Sequence, residues 1–523
     1  MADKSKKSQY SIRNSLTNYY LLLMFTVFPL FLTQQYAHAR RDKLWFFLVL
    51  SGVLLLSVTA TSAITFFDQR RLGTVRPILR PFTAPDIAFC SFFLAAAIST
   101  LISDYRLDSL TGNAGRNNGL ILLLTYMVVY LIVTRFWYYK SYVIVGYLVG
   151  SSIVALLAVL NFFYIDPLGI FEGYSERVIE DFGSTIGNKN TISSFMCLFL
   201  PLTLALFVLL RKRYLKVLSG IGIALAYTGL LCADSSSGFL GLVAVLCAVA
   251  VVAARSYDTL CSYALGLTIL FSSAKLLRLF SILMDDKHKT MEAIPQALVY
   301  SPLSYLPIVL SAMLFIVLLL LRGRLSERYR SRPVRIVLLS VIAALFLLLL
   351  GAFVYFSVFD TGTELGSLSR MLRFDERWGT HRGYMWMKGM EDYAGFDLLH
   401  KLFGSGPDTF YHVFAPHFGE LLEKFGDSST DCIHSEYLNY LITQGIIGLI
   451  AYLSLLVTAC VRMAKNGSRC ALTLVFLCAV IGYAAQATVN IYQPITTPVM
   501  ILFLSMGEAL CRKSDDELSM VRI

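Results

Sequence analysis

Charge is what this chain has least of. Only 15% of its 523 residues are Asp, Glu, Lys or Arg, against about 25% in a soluble globular protein. That shortage excludes an ordinary soluble enzyme. The 56% hydrophobic content excludes a disordered chain and a nucleic-acid-binding module. Paired cysteines are lacking too. Most of the ten lie in apolar runs, and no CxxC or Cys/His cluster has zinc spacing. Cys432 is alone in the longest polar segment, so that segment cannot form an internal disulfide. There is no 20–50-residue repeat and no low-complexity tract. The basic N-terminus is not followed by a small-residue cleavage site, so no cleavable signal peptide is expected.

Long apolar runs are what the chain has instead, and mean hydropathy is +0.65. A helix needs about 20 apolar residues to cross about 30 Å of hydrocarbon. Fourteen runs qualify, near 17–34, 44–67, 85–103, 118–134, 142–164, 191–210, 215–233, 237–254, 258–280, 302–321, 335–357, 437–461, 470–488 and 494–511. The ninth is interrupted by Lys275 and Arg278, so it either crosses, lies in the interface or forms a broken helix with 281–301. The expected fold class is all-α: a polytopic transmembrane bundle of about 12–14 spans with one large extracytoplasmic loop between late helices.

The net charge of +11 then reads as an orientation signal. With the N-terminus inside, 27 of the 45 Lys and Arg fall in inner segments, 11 in short outer segments and 7 in 358–436. The bias puts both termini in the cytoplasm and 358–436 outside. The expected organisation is 1–357 as N-terminal helices, 358–436 as an extracytoplasmic subdomain, and 437–523 as C-terminal helices with a short tail. The middle segment is too long for a connector and rich in aromatics, so it is read as folded and partly helical.

Six polar elements fall on outer turns in this topology. In RWGTHRGYMWMKGMEDY (377–393), Arg382, Trp386 and Met390 share a helical face, and Arg377 lies five residues before Arg382. Arginine grips phosphate oxygens with a planar fork, so this pattern suits a lipid-linked phosphate; a solvated amphipathic helix is the plainer reading. LFGSGPDTF (402–410) is a tight turn that could also offer backbone N–H groups to an anion. In TDCIHSEYLNYL (430–441), His434 stands just before an apolar run and can accept a hydroxyl proton, with Glu436 or Asp431 to orient or replace it. A helix-start histidine capped by Ser435 or Asp431 is the plainer alternative. FGSTIGNKNTISSF (182–195) places Lys189 near the boundary, with Asn190 as a plausible helix cap. ADSSSGFLG (233–241) and GNAGRNNGL (112–120), the latter carrying Arg116, complete the set. His412 and His417 read as loop surface.

Taken in order over roughly 110–460, these elements resemble the O-antigen ligase and O-antigen polymerase superfamily of bacterial membrane glycosyltransferases. GSTIGNKN is similar to its Gly-x-x-Gly-Asn-x-Asn element and DSSSGFLGL to its Ser-Arg-Ser-Gly element. RGYMW is similar to Arg-x-x-x-Trp, GSGP to Gly-x-Gly-Pro, and HSEYLNYL…GIIG to His-Asn-x-Tyr-Leu…Gly-x-x-Gly. The resemblance implies a GT-C-like bundle that moves a glycan from an undecaprenyl-diphosphate carrier to an acceptor hydroxyl, with no metal or other cofactor. It implies His434 as the residue acting on the acceptor and Arg382 as the diphosphate ligand; Glu436, close to His434 in sequence, is the further catalytic candidate. Ser236 stands where the family often has an arginine. Arg116, Lys189, Arg373 and Arg377 are the cations available to replace it, and Asn190 and Trp386 complete the candidate binding set. The implied partners are a lipid-linked oligosaccharide donor, a glycan or lipid acceptor and membrane lipids, with no nucleic acid. The alternative class is a transporter or flippase of a polar lipid or solute. Transporters place polar residues near the midplane and often show repeats, whereas here the polar residues gather outside.

Overall fold

The computed structural model describes residues 12–35, 38–71, 81–363, 365–366, 369–519 and 521. Two segments counted above on the inner side, the basic tail up to residue 11 and the loop 72–80, lie outside them. A helix follows each of the fourteen apolar runs. The first five are α1 (Ile12–Thr26), α2 (Ala39–Arg71), α3 (Ala84–Ile102), α4 (Leu120–Phe136) and α5 (Ser141–Phe162). Next come α6 (Lys189–Leu209), α7 (Arg213–Ala233), α8 (Ser236–Ala253), α9 (Tyr257–Leu283), α10 (Tyr305–Leu320) and α11 (Ser331–Val354). The last three are α12 (Glu436–Asn466), α13 (Leu472–Ala487) and α14 (Thr497–Cys511). Ten helices among the described residues are long and apolar enough to cross a membrane. The only strands described are a two-residue antiparallel pair, Phe182–Gly183 with Gly187–Asn188. The protein is an all-α polytopic membrane bundle.

The helices sort by what surrounds them. α6 is the axis, with 94% of its apolar window buried by α7, α8 and α13. α11 is the opposite case, with none of its residues buried. An unbroken apolar helix with no buried face has lipid as its solvent. The ninth run, where the sequence left an interruption open, is one continuous helix. Lys275 bends out to the carbonyls of Val299 (2.9 Å) and Ser301 (3.3 Å) and to the Ser304 hydroxyl, while Arg278 pairs with Asp286 at 2.7 Å. The return segment, including the short helix Ala293–Tyr300, thus supplies partners for both cations.

One end of the bundle is tied by buried charges. Asp86 of α3 holds Arg135 at 3.1 Å and Arg512 at 2.5 Å, and Glu508 of α14 holds Arg512 at 3.0 Å and Arg462 of α12 at 2.7 Å. Each carboxylate meets two guanidinium groups, so neither is left uncompensated.

Between α11 and α12 the chain forms short helices at Trp378–Gly395, Leu398–Phe403, Phe410–Phe414 and Phe418–Phe425. They enclose their own apolar cluster, with Tyr384, Phe410, Phe414, Leu421 and Ile433 buried against Ile442 of α12. The segment locks into a break in that helix. Gly445 has φ 68°, which opens the α12 ladder. The carbonyls of Ile442 and Thr443 then accept the N–H groups of Ser405 (3.1 Å) and Gly406 (2.9 Å), and Ser99 of α3 also donates to Thr443 at 2.8 Å. The 404–407 turn therefore spends its N–H groups on the helix, and these are not available to an anion as the sequence allowed.

A side chain at 445 has to adopt the left-handed region, and its Cβ would collide with the Leu402 carbonyl. Gly445→Ala should cost at least about 2 kcal/mol, read as an earlier thermal unfolding transition in detergent. An unchanged transition would mean that the break is not required.

Candidate active site

A cleft of about 810 Å³ opens at the end of the bundle where α6, α8 and α12 begin. Five parts of the chain converge on it: the turn carrying Arg116, the strand pair leading into α6, the Asp234–Ser236 turn, Glu292 of the return segment after α9, and the segment between α11 and α12. Seven residues singled out from the sequence line it: Arg116, Lys189, Asn190, Ser236, Arg382, Asp431 and His434. Arg373, Arg377, Trp386 and Glu436 do not.

Local structure explains each placement. Asn188, not Asn190, caps α6, accepting from the Thr191 N–H at 2.9 Å. The cap position falls two residues earlier because the helix already begins at Lys189. Asn190 is thereby free to face the Ser235 hydroxyl, which donates to its Oδ1 at 2.7 Å. On the opposite wall, the backbone is left-handed at Gly379, Thr380 and His381 and turns helical at Arg382. One turn later, the Trp386 indole donates to the Ile433 carbonyl at 2.9 Å. The Arg-x-x-x-Trp spacing thus does two jobs: Arg382 enters the cleft while Trp386 anchors the loop segment that leads into His434. Arg373 donates to the carbonyls of Phe356, Asp360 and Thr363, closing the end of α11, and the Arg377 side chain is exposed. His412 and His417, read as loop surface, instead bond Asp108 and Asp392, each at 2.9 Å.

Glu436 points into the bundle, where the hydroxyls of Tyr452 and Tyr483 donate to its carboxylate. Its link to the cleft is indirect. Tyr483 meets Thr497 at 2.9 Å, the Gln493 N–H donates to Thr497, and the Gln493 side chain donates to Thr191 beside the α6 cap.

Most charges in the cleft are already matched. Arg116 donates to Asp431 at 2.8 Å, and Lys189 lies between Asp181 (3.7 Å) and Asp234 (3.8 Å). His381 faces Asp427 at 3.7 Å. Arg382 is different. It is only 8% exposed, and among the described residues it has no hydrogen-bond or ion-pair partner. Acids are plentiful around it, so the cleft has no long-range positive field, and an anion entering it would be met by direct contact with this fork.

His434 sits at φ 55°, a strained value for a non-glycine residue, with Ser435 after it as the α12 cap. Its Nδ1 is shielded and has no partner, so Nε2 is the ring atom left to meet a ligand. Burial, then the nearby cations Arg382 and Arg116, hold its pKa down at about 3, against the opposing pull of Asp431. The imidazole is therefore neutral at physiological pH.

Asp408 is the buried acid that sequence reasoning passed over. Its carboxylate accepts the Asn118 N–H at 2.9 Å, and a Cβ at Gly115 would overlap it, so it fixes the turn that carries Arg116. A lone Asp after Gly-Pro gives no sign of a partner 290 residues away. Burial raises its pKa to about 6, against the backbone N–H groups of Asn118 and Arg116 that favour the charged form; Asp431 adds to the rise and Arg40 opposes it. The folded state therefore binds this proton more tightly than the unfolded state, and the stability it lends is lost as pH rises through about 6. Asp408→Asn should accordingly gain on wild type in thermal stability from pH 5 to pH 8. A constant gap across that range would contradict the assignment.

The geometry defines a multi-pass membrane protein with a polar cleft at one end of its bundle, built around an unpaired arginine and a neutral histidine. Residues 297–453 match the family model for O-antigen ligase, which supports the O-antigen ligase and polymerase superfamily for this chain. The matched segment runs from the approach to α10 into α12 and so includes both Arg382 and His434. A comparison with curated proteins gives no match.

Proposed function

We propose that this protein is a glycosyltransferase that moves an undecaprenyl-diphosphate-linked glycan, by transfer or polymerisation, onto an acceptor hydroxyl at the outer face of the bacterial cytoplasmic membrane. The observation that carries this reading is Arg382, a nearly buried and unpartnered guanidinium beside a neutral His434 in one cleft. Such a cation calls for an anion, and a diphosphate leaving group develops negative charge as its bond to the sugar breaks. The O-antigen ligase match over the same segment agrees.

In this mechanism Arg382 holds the diphosphate. Arg116 and Lys189 lie in the same cleft and shift part of their charge from Asp431, Asp181 and Asp234 to the donor. His434 Nε2 takes the acceptor proton as the acceptor oxygen bonds to the anomeric carbon, and the C–O bond to the diphosphate breaks. The carrier diphosphate departs with the electron pair. With the cleft empty, two cations weaken His434 as a base. A bound diphosphate screens both and strengthens it, so proton transfer is favoured once the donor is in place. Glu436 serves through its tyrosine partners, holding the start of α12.

Transfer assays in proteoliposomes test the roles. Arg382→Lys keeps a charge but loses the planar fork, so donor binding and turnover should both fall strongly. His434→Ala should lower turnover about 10²–10⁴-fold with donor binding retained. Near-normal turnover by His434→Gln would remove the base from His434.

The Lys and Arg bias supports an orientation with the cleft outside and both termini in the cytoplasm. Single cysteines at the exposed positions 395 and 330, in a cysteine-depleted background, should react differently with an impermeant thiol reagent on intact cells. Labelling is expected at 395 only; labelling at 330 only would invert the protein.

A further inference from the structure

A second cleft, of about 1010 Å³, lies at the far end of α6. The reactive cleft meets α6 at its first residues and this one at Val208–Leu210, so the length of a 21-residue helix, roughly 30 Å, separates them. That distance is the thickness of a bilayer core.

The two clefts are opposite in charge. Five basic side chains line the second: Arg211, Lys216, Arg255, Arg322 and Arg469. Two of the five are already matched, Arg322 to Asp258 at 2.9 Å and Arg469 to Asp515 at 2.8 Å, which leaves Arg211, Lys216 and Arg255 without a carboxylate among the described residues. Arg255 is fixed by the Gly467 carbonyl at 2.8 Å and Lys216 by the Ser262 hydroxyl at 2.8 Å, so both are pinned in position while keeping their charge. Arg211 has no partner among the described residues. Below this basic rim the wall is apolar: Leu209, Leu265, and Phe315 and Leu319 of α10. α10 packs along α9 and is otherwise open to its surroundings, with only Ser311 and Leu318 buried, so the apolar wall runs out onto the bundle's lipid-facing side.

We infer that this second cleft is a binding site for an anionic phospholipid of the leaflet opposite the reactive cleft, its phosphate held by the basic rim and an acyl chain lying along α10. A soluble anion would use the cations alone and leave the apolar wall empty. A zwitterionic lipid would fill the wall but bring its own cation to the rim. An anionic lipid satisfies both surfaces. The inference does not depend on the reaction proposed above, since no residue of the reactive cleft takes part.

The test is native mass spectrometry of the full chain in detergent, titrated with dioleoylphosphatidylglycerol or dioleoylphosphatidylcholine, which share their acyl chains. One phosphatidylglycerol should be retained at least about tenfold more tightly than phosphatidylcholine. Arg211→Gln and Arg322→Gln remove exposed charges outside the packed core, so the doubly substituted chain should unfold at the wild-type temperature and lose most of that preference. Inorganic phosphate at millimolar concentration should not displace the lipid. Equal retention of the two lipids, an undiminished preference in the doubly substituted chain, or full displacement by phosphate would each overturn the assignment.

Discussion

The structure of the cleft hangs on a break in one membrane helix. At Gly445 the α12 ladder opens, and two carbonyls in an apolar surrounding lose their intrahelical partners. Unmet polar groups there are costly. The Ser405–Gly406 turn and the Ser99 hydroxyl meet them. This exchange fixes the long segment in register on the bundle. It also sets the short first piece of α12, and with it the position of His434 at its start. Trp386 fixes the other side by holding the Ile433 carbonyl. The conspicuous glycines and the tryptophan of this segment thus act mainly on architecture, and the residues placed between them are the ones that face the cleft.

Electrostatics then distinguish among residues of the same type. Arg116, Arg373 and Arg382 are all arginines near the same end of the molecule. One is matched to a carboxylate, one closes a helix end on carbonyls, and one is nearly buried without a partner. Only the last has its full hydrogen-bonding capacity to offer a ligand. The same cations that suit the cleft to an anion weaken His434 as a base until an anion arrives. In the proposed mechanism, donor binding and proton transfer are therefore coupled through charge alone, with no moving part required. The two ends of α6 differ in the same terms, with acids outnumbering the Lys and Arg side chains of the first cleft and outnumbered by them in the second.

The sequence by itself determined the fold class, because hydrocarbon thickness demands apolar runs of a set length and each such run had only a helix open to it. Lys275 and Arg278 obscured the ninth run, since their partners lie in the return segment 286–304, beyond the reach of a local reading. Motif order carried the family resemblance, and the match at 297–453 supports it. Which cation is free was decided only by the tertiary structure. Arg116 meets Asp431 across 315 residues, and Asp408 meets Asn118 across 290. Hydropathy and spacing describe a side chain's neighbours along the chain, whereas its charge state and its availability depend on neighbours that folding alone brings within a few ångströms.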